Sequence, residues 1–471
     1  MNAPTSTADE AAAGGVGREA PAHGRKTALR DKLLPRTIEH AARVPFYRDR
    51  WPGRTEQPVT VAGLVGLPVL TRADLAHHTE EMLHPDSSPD VLIHSTGTTT
   101  GTPVRRYRSA REIAAFGEFR TGLSARAQEL TGRPARPVVH FTTLTARHHG
   151  GTLGAADGTQ RRMSLSVLTA SEVARSVALL RFPRLFPDLD TCAYEVSGPP
   201  DDLMLLAAAV ADGGPLEPDR VQRVTSVADY LSRAQSRAIR SALAPSGQVV
   251  HRYSMSEVIG GATLCGTCDL FHFDAHVVPE VLSLTDDTPV RSGVGRLVLT
   301  ELHPFSQCQP FVRYETGDLV ERRESPCEPG EISVTLVGRT ARTPMVESGG
   351  DPLPACRAYP LREALERIPE IARVPLASRI PAFSQSPGAA PLASCTLEPG
   401  TDGGAQRLVL LAAVGFSPAL LPQAAEELVR RVQAAALTSS PELARLVADG
   451  RCALDVRLTG DRSRVPGFAV R

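Results

Sequence analysis

The chain has 471 residues, a length that allows two or more domains with sizeable cores. Hydrophobic residues make up 42% of it and charged residues 22%, which is the composition of a soluble globular protein. The formal net charge of +0 excludes a whole-chain electrostatic surface for nucleic acid or an anionic membrane, and no apolar run is long enough to span a bilayer. We therefore expect neither a nucleic-acid nor a membrane partner.

Residues 1–26 are predicted to be a disordered N-terminal tail. They are rich in alanine, glycine and threonine, and they lack the apolar core of a signal peptide. A cytoplasmic protein is the resulting expectation, and there the eight cysteines favour free thiols or a metal site over disulfides. Lysine occurs only at positions 26 and 32, so arginine supplies every later permanent positive charge.

From residue 27 the sequence pattern alternates between helix and strand. Apolar residues at helical spacing predict helices over residues 30–42, 72–81, 109–130, 171–180, 202–211 and 232–243. Thr71 is a predicted cap for the second of these helices. Short apolar runs predict strands over residues 91–93, 137–141 and 221–226. This alternation predicts an α/β domain with a largely parallel sheet.

After residue 260 short β-like pieces separated by turns replace the helices, at 271–273, 277–282, 295–300 and 332–337. They predict a mainly antiparallel β subdomain over about residues 260–337. Glycine and proline then mark residues 341–354 as a hinge or linker. The remaining residues 355–471 predict a small α+β domain, with helices over 361–368 and 422–435 and strands over 408–414 and 454–458.

The strand predicted at 91–93 runs into a loop, residues 94–103, with the sequence His-Ser-Thr-Gly-Thr-Thr-Thr-Gly-Thr-Pro. Its glycines let the main chain approach a ligand, and its hydroxyl and N–H groups are donors suited to phosphate. It is not a Walker A loop, because Thr102 stands where a lysine should follow the second glycine. Polar linkers share this composition, so the loop alone does not decide a function.

Three further motifs follow the loop in order, namely Tyr-Ser-Met-Ser-Glu at 253–257, Arg-Tyr-Glu-Thr-Gly-Asp at 313–318 and Gly-Arg-Thr at 338–340. Together the four segments resemble the motifs of the adenylate-forming (acyl-activating, ANL-type) enzyme superfamily, in its phenylacetate–CoA ligase-like branch. Upstream, residues 44–48 and 67–75 resemble the N-terminal signature of that branch. The resemblance extends from about residue 27 to about residue 340.

This resemblance implies a fold and a function. The fold is a large adenylation domain that binds ATP and the acyl group, residues 27–340, followed across the hinge by a small mobile domain, residues 355–471. The function is ATP-dependent activation of a small aromatic carboxylic acid as acyl-AMP, with transfer to a nucleophile in specialised metabolism. ATP and Mg²⁺ are the implied cofactors, and a homodimer is one assembly that the resemblance allows.

The resemblance also assigns roles to single residues. Ser256 is implied to bind the α-phosphate, Glu257 to bind Mg²⁺, and Arg339 to meet the ribose or a phosphate; these three are the implied catalytic residues. Tyr253 is implied to stack on adenine, and Asp318 to accept hydrogen bonds from both ribose hydroxyls. The implied phosphate loop consists of Ser95, Thr96, Gly97, Thr98, Thr99, Thr100 and Gly101. Candidates for binding the acyl group are His94, His140, Ser197 and Gly198.

The cysteines form a second constellation. Cys265 and Cys268 make a Cys-x-x-Cys motif, and Cys308 and Cys327 lie in the same predicted β subdomain. Four thiolates would form a closed tetrahedral zinc site of the structural type, and some relatives on the resembled branch carry a zinc near this position. One of the four zinc ligands could instead be a histidine, and the candidates are His272, His276 and His303. Four free thiols are the alternative.

The chain departs from the resembled pattern in several places. Thr98 and Ser254 occupy positions where glycine is usual, and residues 341–342 lack the acid of the usual hinge. Residues 461–467 lack the C-terminal lysine that assists adenylation in the family. These departures leave the acceptor open between CoA, an amine, nitrite or another nucleophile. An aryl-CoA ligase, an amide- or N–N-bond-forming ligase, and a catalytically silent nucleotide-binding homologue are therefore alternatives.

Overall fold

The computed structural model describes residues 23–51, 60–95, 104–131, 138–144, 160–183, 185–186, 193–214, 216–348, 351–375, 387–400 and 405–470. Its first elements are the helices α1 (His23–Ala41), α2 (Pro45–Arg50) and α3 (Arg72–His77), and the strands β1 (Val91–Ser95) and β2 (Val104–Arg108). Helix α1 begins before the predicted residue 30, because its first turn is held by an ion pair between Lys26 Nζ and Glu328, 2.6 Å apart. The predicted cap of α3 is confirmed, since Thr71 Oγ1 accepts a hydrogen bond from the Asp74 N–H, 3.1 Å away.

Within the described residues, eleven strands form one large sheet. Its parallel half contains β3 (Val138–Leu144), β4 (Gln160–Ser166), β5 (Ala193–Gly198), β6 (Val221–Ser226) and β7 (Gln248–Ser254). Four helices accompany this half, namely α4 (Ala110–Thr131), α5 (Ala170–Arg181), α6 (Pro200–Asp212) and α7 (Arg233–Leu243). Valine, leucine and aromatic residues alternate along the strands and pack against α5, α6 and α7, as the periodicity predicts.

The antiparallel half of the sheet contains β8 (Gly261–Leu264), β9 (Phe271–Phe273), β10 (Val277–Leu282), β11 (Gly293–Glu301), β12 (Tyr314–Arg323) and β13 (Ser333–Arg339). The strand order across the whole sheet is β10-β11-β12-β13-β9-β8-β7-β6-β5-β3-β4. Strand β7 pairs parallel with β6 and antiparallel with β8, so it joins the two halves. The α/β fold is thus confirmed, with the predicted β subdomain continuing the same mixed sheet.

The apolar core of the antiparallel half also contains the N-terminal helices. Buried residues of α1 and α2, such as Leu34 and Phe46, belong to the same core as Val277 of β10 and Leu299 of β11. Chain segments about 230–265 residues apart therefore share one core, which no local pattern in the sequence predicts.

The C-terminal part of the chain forms a separate core. Its hairpin consists of β14 (Met345–Ser348) and β15 (Asp351–Pro354), and it occupies most of the stretch predicted as a hinge. Further elements are α8 (Ala358–Leu365), β16 (Arg373–Pro375), β17 (Pro387–Pro391), β18 (Ala393–Glu398), β19 (Gln406–Ala413), α9 (Pro422–Ser439), α10 (Pro441–Ala448), β20 (Cys452–Thr459) and β21 (Ala469–Val470). Strands β18 to β21 make a four-stranded sheet in the order β20-β19-β18-β21.

The C-terminal part contacts the large sheet through aromatic and charged side chains. The rings of Tyr230 and Tyr359 stack with their centroids 4.3 Å apart, and Tyr230 Oη donates to Glu363 at 3.0 Å. Arg357 lies between Glu321 of β12 and Glu442 of α10, at 3.1 and 2.6 Å. These contacts place α8 beside the end of β12.

Among the residues that the structure describes, every helix is too short or too polar to pass through a bilayer.

Candidate active site

The first cluster of candidate residues lies where β7, β12 and β13 meet. Asp318 of β12 is 6% exposed and pairs in register with Arg339 of β13. Arg339 Nη1 donates to Asp318 Oδ1 at 2.8 Å, and Tyr253 Oη donates to Asp318 Oδ2 at 2.7 Å. The structure therefore brings together Tyr253, Asp318 and Arg339, which the sequence separates widely.

A bulge in β12 aims Asp318 at this point. Leu319 pairs with Arg296 and Glu315 with Val298, so three residues of β12 lie opposite the single residue Leu297. Gly317 within this bulge has φ of +75°, a conformation that favours glycine. The hydroxyl of Thr316 accepts from the Asp318 N–H at 3.1 Å. The Thr-Gly-Asp order of the motif thus has a local structural reason.

The charges at this cluster support one another. Burial disfavours the charged form of Arg339, but the adjoining Asp318 carboxylate holds the pKa of that guanidinium above its usual value. Burial and the same carboxylate raise the pKa of Tyr253 well above its usual range, so its phenol stays a donor. Each carboxylate oxygen of Asp318 has a second lone pair. The carboxylate can consequently accept further hydrogen bonds from a diol.

Glu257 is held a short distance along the chain from Tyr253. Its side chain is 6% exposed, and its Oε1 accepts from Arg72 Nη1 at 2.9 Å. Ser256 Oγ donates to its Oε2 at 3.1 Å. One buried carboxylate with an adjoining hydroxyl suits Mg²⁺, which prefers oxygen ligands and usually takes only one or two carboxylates from a protein.

Beneath Glu257 lies a buried network of charges that the sequence analysis missed. Glu301 is paired with Arg106 at 2.6 Å and with Arg108 at 2.8 Å, and all three side chains are at most 1% exposed. The two arginines also donate to the main-chain carbonyl of Glu257, at 3.0 and 3.1 Å. The sequence did indicate that these arginines are buried. Arg106 and Arg108 lie two and four positions after the apolar Val104 in β2, so all three side chains lie on the same face of the strand, which faces the core.

The loop expected to bind phosphates is described only at its two ends. Thr96, Gly97, Thr98, Thr99, Thr100 and Gly101 lie outside the described residues. His94 and Ser95 are the last residues of β1, and Ser95 pairs with Val104 of β2. The β1–β2 hairpin therefore brings Ser95 and Val104, which flank the undescribed residues, close together. Two residues after Val104, Arg106 donates to the main-chain carbonyl of Glu257.

Two of the candidates for the acyl group, Ser197 and Gly198, end the parallel strand β5, and His140 lies within the neighbouring strand β3. His140 of β3 and Ser197 of β5 are joined by a hydrogen bond of 3.0 Å between Nε2 and Oγ. Glu195 lies 3.5 Å from His140 Nδ1; burial opposes ionisation, but this histidine and Arg223 lower the pKa of the Glu195 carboxyl. Gly198 is packed so closely that an added Cβ would overlap the Thr143 hydroxyl.

Sheet register relates these residues to the nucleotide cluster. Gly198 pairs with Ser226 of β6, which pairs with His251 of β7, two positions before Tyr253. Two strand spacings of about 4.8 Å thus separate β5 from β7. In open α/β sheets, ligands bind beyond the carboxyl ends of the parallel strands, which is where Ser197, Gly198 and Tyr253 lie.

The predicted cysteine cluster forms with one change of membership. One ligand atom from each of Cys265, Cys268, His272 and Cys327 lies within 4.8 Å of the others. The Cys268 Sγ and His272 Nε2 atoms are 3.1 Å apart, and the other ring nitrogen of His272 lies 3.0 Å from Ser333 Oγ. Although burial opposes it, the N–H groups of residues 267 and 268 help lower the pKa of the Cys265 thiol to about 6.

Cys308 is not part of this cluster, contrary to the prediction, and His272 takes its place. Cys308 is fully buried in the loop between β11 and β12, where its N–H donates to Glu112 Oε2 at 2.8 Å. The alternatives His276 and His303 also lie elsewhere, since His276 packs on Phe305 and His303 on His40. Cys308 lies in the predicted β subdomain, but that alone did not show that its thiol is near the other three cysteines.

The fold described above is similar to that of 2-hydroxyisobutyryl-CoA ligase. In one structure of 2-hydroxyisobutyryl-CoA ligase, in the postadenylation state with R3-HIB-AMP, the match covers 94% of this chain and 87% of that chain, with 17% identity and a TM-score of 0.58. In an open conformation of the same ligase with 2-HIB-AMP and CoA, the coverage is 94% and 89%, the identity 18% and the TM-score 0.58. No protein-family model and no curated protein sequence matches the chain.

Proposed function

We propose that this protein is an AMP-forming ligase that activates a carboxylic acid with ATP. The observation that supports this most directly is the placement of Asp318 between Tyr253 and Arg339, in a chain with the adenylate-forming fold. An oxygen of the substrate carboxylate attacks the α-phosphorus of ATP, the bond to the β-phosphate breaks, and pyrophosphate leaves with the electron pair. The product is an acyl-AMP.

The chain's own residues have distinct roles in this proposal. Asp318 accepts hydrogen bonds from the ribose hydroxyls, with Tyr253 and Arg339 fixing its orientation. Ser256 donates to the α-phosphate. Glu257 holds Mg²⁺, which when bound neutralises charge on the phosphates. The loop that includes residues 96–101 binds the departing pyrophosphate.

For the acid, we propose a small aromatic carboxylate in specialised metabolism. The pair His140 and Ser197 offers both a donor and an acceptor, and it suits a hydroxyl or amino substituent on the ring. Gly198 packs against the Thr143 hydroxyl and leaves no room for a side chain at the end of β5. The cytoplasm is the proposed location.

For the acceptor, a nucleophile other than CoA is favoured, with aryl-CoA ligation as the alternative. Arg462 and Arg464 are exposed in a short helical turn of the lysine-free C-terminal segment, so this segment offers no amine to a reaction centre. The related ligase described above binds CoA, and it motivates the alternative. Movement of the C-terminal domain about residues 341–354 would need the Tyr230–Tyr359 stack to separate.

The test is acid-dependent exchange between ATP and labelled pyrophosphate, without CoA, over a panel of aryl and small aliphatic acids. We expect exchange with at least one aryl acid. The same acid is then incubated with CoA, with amines and with nitrite, and AMP release identifies the acceptor. If no acid supports exchange although ATP binds, the catalytically silent nucleotide-binding homologue is correct instead.

We also propose a structural zinc ion bound by Cys265, Cys268, His272 and Cys327. Three thiolates and one imidazole are a common tetrahedral zinc set, and the His272 ring is already oriented by Ser333 through its second nitrogen. Cys327 lies in the loop between β12 and β13, His272 lies in β9, and the other two cysteines lie between β8 and β9, so the cluster joins these two loops. The ion therefore stabilises the antiparallel half of the sheet.

Replacing Cys268 with serine is expected to remove bound zinc and to lower the melting temperature by several degrees, because metal binding is coupled to folding. Metal analysis of the purified protein and thermal unfolding with and without a chelator measure both effects. Cys308→Ser is the matched control, which keeps its zinc because Cys308 lies outside the cluster. Wild-type protein that is free of zinc yet insensitive to a chelator would contradict the proposal.

A further inference from the structure

Main-chain hydrogen bonds between Leu70 and the motif at 313–318 place Arg72 at the candidate active site. The Leu70 N–H donates to the Arg313 carbonyl at 2.9 Å, and the Glu315 N–H donates to the Leu70 carbonyl at 2.9 Å. The buried Arg313 guanidinium also donates to the Leu67 carbonyl. Because α3 begins two residues after Leu70, at Arg72, these hydrogen bonds fix the position of Arg72 against the motif at 313–318.

The backbone of Arg313, which accepts the hydrogen bond from Leu70, is strained. Arg313 has φ of +55°, which is costly for a residue with a side chain. It is also fully buried and paired with Glu280 at 3.1 Å. Such a backbone persists only where the surrounding contacts over-determine it, as they do here. The position of Arg72 is consequently set by the core and not by a mobile loop.

Arg72 contacts the group proposed to hold the metal ion. Its Nη1 lies 2.9 Å from Glu257 Oε1; the Arg72 side chain is 26% exposed and that of Glu257 is 6% exposed. Burial raises the pKa of Tyr314, and a hydrogen bond from Arg72 opposes that rise, so the guanidinium also reaches the motif at 313–318. One side of this cation is therefore held against the site, although the Arg72 side chain is partly exposed.

The reaction needs a cation near the phosphates, and lysine cannot supply it in this chain. The only lysines are Lys26 and Lys32, both in α1. Lys26 Nζ bonds to Glu328 at 2.6 Å and to the Phe273 carbonyl at 2.9 Å, on the side of the cysteine cluster. Lys32 is exposed on the same helix. Apart from a bound Mg²⁺ ion, permanent positive charge near the phosphates must therefore come from arginine side chains.

We propose that Arg72 is a catalytic residue of the adenylation reaction, which rests on the function proposed above. In the nucleotide-free protein its guanidinium pairs with Glu257. When ATP is bound, it donates hydrogen bonds to oxygens of the α-phosphate and of the departing pyrophosphate, where negative charge grows as the phosphorus–oxygen bond breaks.

Two measurements on full-length Arg72→Ala test this role. In exchange between ATP and pyrophosphate, with an acid that the wild type activates, the turnover number is expected to fall about 100-fold, as for loss of one transition-state donor. The KM for the acid stays unchanged, and Arg72→Lys recovers part of the rate. Arg50→Ala is the matched control, since Arg50 pairs with Asp74 of the same helix at 2.7 Å but at the surface; its rate stays at the wild-type value.

The second measurement compares ATP with adenosine in equilibrium binding and needs no acid. Arg72→Ala is expected to weaken ATP binding about tenfold or more and to leave adenosine binding unchanged. An equal loss for both ligands, or exchange within threefold of the wild type, overturns the role of Arg72. If the wild type shows no exchange with any acid, the proposed function fails, while the ATP-to-adenosine comparison still decides whether Arg72 contacts phosphate. Failure of the wild type to bind ATP overturns both proposals.

Discussion

Replacing Asp318 with alanine is expected to abolish measurable ATP binding and all acid-dependent pyrophosphate exchange. The carboxylate is the only group placed to accept from the ribose in the described Tyr253–Asp318–Arg339 cluster, and it also fixes both neighbours. Hydrogen bonds to a charged group contribute about 1.5–3 kcal/mol each, so the loss of two predicts at least a hundredfold weaker binding. Calorimetric titration with ATP measures it.

The control for this variant is Asp287→Ala, which removes a carboxylate paired with Arg296 at 2.9 Å on the edge of the same sheet. We expect that control to bind ATP as the wild type does. Asp318→Asn retains the shape of the side chain and should bind weakly but detectably, provided both proteins keep the wild-type melting temperature. Unchanged ATP affinity in Asp318→Ala would show that the nucleotide binds elsewhere.

Replacing Glu301 with alanine is expected to lower the free energy of unfolding more than any other substitution proposed above. Its carboxylate is 1% exposed and is shared by two arginines that are fully buried. Burial opposes its ionisation, but the two guanidiniums hold the pKa of Glu301 below its usual value. Breaking a buried ion pair from one side costs about 3–5 kcal/mol, because the partner charge stays buried without compensation.

Denaturant unfolding of Glu301→Ala against the wild type measures this loss. Exchange activity should also fall in the folded fraction, since Arg106 and Arg108 position the Glu257 carbonyl. Glu370→Ala is the control at a surface pair, with Arg431 at 2.6 Å and 41% exposed; we expect a change below about 1 kcal/mol there. A similarly small change for Glu301→Ala would mean that the network is not needed for folding.

Much of the fold could be predicted because its signals are local. The helices after residue 109 and the shift to short strands after residue 260 follow from the spacing of apolar residues. The first turn of α1 could not be predicted, because its sequence has few apolar residues and it is held by Glu328 far along the chain. The continuity of the two sheet halves was also missed, because pairing of β7 with β8 depends on a turn and not on periodicity.

The candidate active site combines residues that are far apart in the sequence, so local patterns do not predict its geometry. Tyr253, Asp318 and Arg339 could be assigned only through motif order, since nothing in their spacing indicates that their side chains meet. Arg106 and Arg108 were missed because an arginine in a sequence is usually a surface charge. Their partner Glu301 lies almost 200 residues later. The phenylacetate–CoA ligase-like branch stays a prediction.

The core shared by α1, α2 and the antiparallel strands has a consequence for synthesis on the ribosome. The apolar faces of these helices are made first, but their partners in β10 and β11 emerge about 230–265 residues later. At about 5–20 residues per second, the nascent chain exposes those faces for roughly 10–50 seconds. Chaperone demand should therefore be greatest in that interval, and a fragment ending before β10 should aggregate although it contains the complete parallel half of the sheet.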